Sequence, residues 1–86
     1  MSLTKQHLSN TFAKARETQS PFVFVAIVAE GIEEVIVVPK KSFDAKEDFY
    51  KSAYNDELVH VMNSKVQIRG LSYGEASELK HSLSTL

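Results

Sequence analysis

Cysteine is missing from this 86-residue chain, which excludes disulfides and thiolate zinc sites and leaves the redox compartment open. Net charge is almost missing as well: 10 Lys and Arg stand against 11 Asp and Glu. That balance gives no electrostatic case for nucleic acid, a membrane surface or an acidic ligand. Arginine is scarce, present only as Arg16 and Arg69. No long hydrophobic run exists; the longest, Phe22 to Ala29, is far too short to span a bilayer. No basic-then-apolar leader precedes it, so a cytoplasmic protein without membrane association is expected. Glycine and proline are few, 3 and 2, and nothing in the chain reads as a linker, a repeat or a low-complexity tract. What is present is globular in composition: 43% apolar and 24% charged residues predict one folded domain, 1–86. A chain of this size buries only about 60–65% of its unfolded surface.

Both prolines, Pro21 and Pro39, bound the stretch around which the chain is organised. Phe22 to Ala29 and Ile32 to Val38 are β-branched and aromatic runs flanking Glu30-Gly31, a hairpin signal. With Glu30 and Gly31 as the loop, Ala29 faces Ile32 and Phe24 faces Val37. One face then carries Phe22, Phe24, Ala26, Val28, Val35 and Val37. The other carries Val23, Val25, Ile27, Ala29, Ile32, Ile36 and Val38, interrupted by Glu34. Since neither face is polar, alternation alone does not fix the register, and a bulged loop would shift the pairing by one. Small antiparallel sheets usually keep one wet face. Here both need cover, from the chain's own helices or from another copy.

Before the hairpin, Leu8, Phe12 and Ala15 recur at helical spacing between Thr4 and Thr18. After it, Asp44 and Glu47 have capping-box spacing, with Phe43 as a staple residue, ahead of a helix bearing Phe49, Tyr50, Ala53 and Tyr54. Asn55 suits a left-handed stop. Leu58 to Met62 reads as a short strand, although Leu58, Val61 and Met62 also fit a longer helix. Lys65 to Arg69 alternates Val66 and Ile68 with polar neighbours, as a half-buried or edge strand does. Ser72 and Glu75 form a second capping box, opening a last helix with Ala76, Leu79, Leu83 and Leu86. The expected fold is α+β: a small antiparallel sheet, the central hairpin plus one or two short strands, packed with three helices in the order α-β-β-α-β-β-α.

The run Val37-Val38-Pro39-Lys40, then Phe43-Asp44 and Phe49 to Leu58, with Gln67-Ile68-Arg69-Gly70 and Tyr73-Gly74 further on, resembles small uncharacterised proteins of phages and prophages of Gram-positive bacteria. The resemblance covers roughly the second half of the chain and carries no catalytic motif. It implies a biological setting and no activity.

Gly70-Leu71-Ser72-Tyr73-Gly74 matches the nucleophile elbow of hydrolases. The acids between it and a histidine, Glu75 and Glu78, share one short helix with His81, which cannot fold back onto its own start. Ser72 as a helix cap explains the same residues, so no enzyme is expected. His7, His60 and His81 are scattered, with only Asp56 and Glu57 near His60, and neither metal nor cofactor is expected. Glu30, Glu33 and Glu34 make a solvated acidic tip that discourages edge pairing.

The candidate interaction surface comprises Tyr50 and Tyr54, one turn apart on the middle helix, and the corner formed by Phe22, Phe24, Lys40 and Lys41. Tyrosines of this kind serve protein interfaces or simply pack on the sheet. Phe22 and Phe24 can stack bases while Lys40 and Lys41 hold a phosphate backbone, but no full RNA-binding signature accompanies them. The favoured reading is a non-catalytic, self-associating interaction protein with a homo-oligomeric or unidentified protein partner; a nucleic-acid-associated regulator is the alternative.

Overall fold

The computed structural model describes residues 3–75. Its elements are α1 (Lys5–Glu17), β1 (Phe22–Ala29), β2 (Ile32–Pro39), a 3-10 turn (Lys40–Ser42), α2 (Phe43–Ala53), β3 (Val59–His60) and β4 (Asn63–Gly74). The strands form one antiparallel sheet in the order β2-β1-β4-β3. The α+β class agrees with the sequence, as does the succession of helices and strands from α1 to β4, although the strand expected over 58–62 shortens to Val59–His60. The third expected helix, with Ala76, Leu79, Leu83 and Leu86, lies outside the described residues.

The hairpin has the unbulged register. Glu30 and Gly31 both take positive φ, 53° and 84°. That is the two-residue turn whose twist matches the flanking strands. Ala29 therefore pairs with Ile32 and Phe24 with Val37. Both described helices bury their side chains against the face of Val23, Val25, Val38 and Ile68.

Leu8, Phe12 and Ala15 form the buried stripe of α1. The Thr4 hydroxyl accepts from the His7 N–H, and the His7 ring accepts from the Thr4 N–H, closing a capping box that the sequence reading did not anticipate. At the other end Gln19 takes φ 56°, while Ser20 N–H donates to the Ala15 carbonyl and Gln19 N–H to that of Arg16. This is the left-handed stop usually built on glycine. It ends the helix before Pro21.

Two helix signals work differently from their sequence reading. Ser42 caps α2 without a side-chain bond, so Asp44 and Glu47 form no capping box. They instead receive Arg16 of α1, at 2.7 and 2.8 Å, and Glu47 also meets Lys51 at 2.9 Å. Phe43 does pack inward, edge-on to Phe12 with ring centroids 5.6 Å apart. Asn55 is not left-handed. Its side-chain oxygen accepts from the N–H groups of Glu57 and Val59, and the positive φ falls on Leu58, at 60°. That conformation turns Leu58 fully into the core and leads into β3.

The largest departure is β4. Alternation predicts a strand over 65–69, yet the strand runs through Gly74. Val66 and Ile68 face the helices, and so do Leu71 and Tyr73, one residue out of phase. A bulge accounts for the change: Ile27 pairs with Ile68 but Ala26 with Gly70, leaving Arg69 as the extra residue. Ser72 consequently lies inside the strand opposite Phe24 and does not cap a helix.

Gly70 is required here by close approach. A Cβ at this position would stand 3.0 Å from the Ala26 Cβ. Gly70→Ala should lower stability to urea by about 1–3 kcal/mol, the usual range for overpacking. Adding Ala26→Gly should recover part of that loss.

Candidate interaction surface

The six residues singled out from the sequence separate into two places. Tyr50 and Tyr54 are inside, 1% and 4% exposed, which corrects the expectation of a surface ridge. Arg16 bridges α1 to Asp44 and Glu47, and α2 turns Phe43 and Tyr50, with Tyr54 just after it, to the core. Phe49 points outward instead, 53% exposed, with the Lys46 ammonium 5.5 Å from its ring centre. The Tyr54 ring is edge-on to Tyr50 at 6.0 Å and to His60 at 5.1 Å. The Tyr50 hydroxyl is buried without a hydrogen-bond partner among the described residues. Burial, followed by the proximity of Tyr54, pushes its ionisation above the usual range, and burial raises that of Tyr54 as well.

Phe22, Phe24, Lys40 and Lys41 do come together at one corner. Phe22 is the β1 partner of Pro39, and Lys40 N–H donates to the Pro21 carbonyl at 2.9 Å. The phenylalanine rings stack on the sheet face opposite the helices, 6.3 Å apart and 28° from parallel. Phe24 is nonetheless buried, while Phe22 is half-buried and both lysines are exposed. The corner therefore offers one partly open ring and two cations.

The other sequence candidates do not assemble. Ser72 is exposed within β4, where a nucleophile elbow would need a strand-to-helix turn. His7 serves the N-terminus of α1, and the ring of His60 accepts from the Met62 N–H at 3.0 Å. His81 lies outside the described residues. Among the described residues, no three His, Asp or Glu side chains gather as metal ligands. Glu30 sits in the hairpin loop, and Glu33 and Glu34 are exposed at the adjoining end of β2.

Besides Phe49 and Val37, the exposed large apolar side chains among the described residues are Ile32, Val61 and Met62, none of which the sequence marks as surface. Val61 and Met62 form the β3–β4 connection, so their position next to Asn63-Ser64, a turn signal, was the available clue. Ile32 follows the hairpin loop. All three stand at the end of the sheet where both turns lie.

The outer side of β2 completes the surface. β2 terminates the sheet, and no strand pairs with its free side among the described residues. Apart from Glu33 and Glu34 its residues are all apolar, and Val37 is 39% exposed. Comparison of the chain with family models, curated proteins and solved structures finds no match.

The buried tyrosines give a sign-definite pH dependence. In the unfolded chain they ionise near 10.0, and in the fold only above it. Their contribution to stability is therefore complete below pH 10 and is lost as pH rises through the folded values, because the unfolded state releases its protons first. Alkaline titration should show tyrosinate absorbance from these two residues rising in step with unfolding.

Proposed function

We propose that the protein is a non-catalytic interaction protein that associates with copies of itself. The observation that supports this reading is β2, an apolar eight-residue edge strand with a free outer side among the described residues. An edge of this length presents a row of backbone donors and acceptors, and another chain can satisfy them. The sheet adds apolar surface beside it. The two described helices occupy the Val23 and Val25 face, while Phe22 and Val35 are half-buried and Val37 is 39% exposed on the other. The resemblance to small phage and prophage proteins is compatible with an accessory role of this kind.

A second reading draws on the Phe22, Lys40 and Lys41 corner, where a partly open ring adjoins two exposed cations. A nucleic-acid strand held there would be gripped through its phosphates, and binding would weaken as salt rises. The buried state of Phe24 leaves one ring for stacking, which makes this the weaker of the two readings. A gel shift repeated across a salt series checks it, and the absence of any shift at low salt would overturn it.

Sedimentation velocity from low to high micromolar protein checks the first reading. A concentration-dependent dimer is expected. A monomer that persists at high micromolar concentration would overturn it.

A further inference from the structure

We infer that the partner on the free edge of β2 is the β2 of a second copy, antiparallel and two-fold symmetric, with its register set by charge. This rests on the self-association proposed above and specifies its surface and its selectivity. The sequence of β2 and the turn after it, Ile-Glu-Glu-Val-Ile-Val-Val-Pro-Lys-Lys, has acids at one end and cations at the other. Glu33, Glu34, Lys40 and Lys41 are all exposed.

Hairpin geometry decides which backbone groups are available. In a two-residue hairpin the pair flanking the loop, here Ala29 and Ile32, exchanges hydrogen bonds, and bonded pairs then alternate along the strands. Ile32, Glu34, Ile36 and Val38 thus turn their N–H and C=O groups toward β1. Glu33, Val35 and Val37 turn theirs outward, joined by the carbonyl of Pro39, which has no N–H.

Placing Val37 opposite the partner's Val37 pairs the Val37 groups and the Val35 N–H, and leaves the Val35 carbonyl facing a proline that has no N–H to give. Each Val37 N–H donates to the partner's Val37 carbonyl, and each Val35 N–H donates to the partner's Pro39 carbonyl. The missing proline donor falls at the end of the ladder. Glu34 and Glu33 then lie toward the end where the partner's Lys40 and Lys41 open the 3-10 turn just past Pro39, which brings acids beside cations. By symmetry this occurs twice. The lysine side chains are long enough to reach across from the turn to acids on the paired strand.

Other registers lose the match. Sliding the partner so that Ile36 faces the partner's Ile36 sets Glu34 against the partner's Val38. Parallel pairing sets acid against acid and lysine against lysine. Glu33 and Glu34, which alone would discourage any neighbour, thereby discourage every neighbour except an antiparallel copy. The overall charge of -1 leaves no general repulsion to overcome.

The test uses full-length chains and sedimentation equilibrium. Glu33→Lys with Glu34→Lys makes all four charges positive, and Lys40→Glu with Lys41→Glu makes all four negative. Each variant alone should dimerise at least about a hundredfold more weakly, since like charges brought together cost several kcal/mol. Mixing the two variants should restore a dimer containing one of each. A single chain carrying all four reversals should regain its homodimer. A wild-type dimer unaffected by any reversal would overturn this edge while leaving self-association through another surface. A wild-type monomer would overturn both. Failure of the mixture and of the fourfold variant to recover would show that charge matching does not select the partner.

Discussion

The structure depends first on the burial of one face of β1. Val23 and Val25 are completely enclosed, with β2 on one side, β4 on the other and the helices above. Fully burying an aliphatic side chain of this size is worth about 1.5–3 kcal/mol, and the two anchor a layer that Leu8, Phe12, Ala15, Val38 and Ile68 complete. Because β1 is central, its hydrogen bonds are satisfied on both sides. Anything that displaced it would open the hairpin and the β1–β4 pairing together. Among the described residues, the large exposed apolar side chains all lie away from β1, at the edge strand, at the turns and on the outer side of α2.

The second constraint is the contact between the two helices. The Phe12 and Phe43 rings meet edge-on, while the Arg16 guanidinium lies 5.9 Å from the Phe12 ring centre and reaches both Asp44 and Glu47. Exposed ion pairs contribute little to stability on their own. Here the Glu47 side chain is only 12% exposed and answers two cations, Arg16 and Lys51. With Phe43 anchored, Tyr50 and Tyr54 turn inward, and Phe49 is the ring left in solvent.

The sheet manages its two edges differently. β3 is only two residues long, a brevity that limits pairing on that side. β2 is long and apolar, and its protection is chemical: acids at one end, proline and lysines at the other. Charges and proline at an edge are features that discourage indiscriminate strand pairing.

Much of this was legible in the residues. Glu30-Gly31 between two β-branched runs is a local signal, and the observed register follows from the turn those two residues adopt. The stripe of Leu8, Phe12 and Ala15 is equally local. So is the alternation of Val66 and Ile68, as far as it goes. Beyond Ile68 the signal fails, because the bulge at Arg69 shifts the phase and Leu71 and Tyr73 no longer continue the pattern. Only pairing with β1, with Ala26 against Gly70 and Phe22 against Gly74, keeps Gly70 to Gly74 extended and makes Ser72 a strand residue. Asp44 and Glu47 present the same limit: their spacing is that of a cap, but the cation that claims them is on another helix. The corner of Phe22, Lys40 and Lys41 was visible through the hairpin register, whereas the residues left both a surface ridge and packing on the sheet open for Tyr50 and Tyr54, and only the structure chose packing. The sequence by itself determined the hairpin, its two apolar faces and the helical stripes, since each arises from neighbours a few residues apart. Tertiary structure decided which face the described helices cover, how α2 is rotated, how far β4 extends and which strand is left at the edge. Each of those outcomes is set by contacts between segments whose separation along the chain carries no local signal.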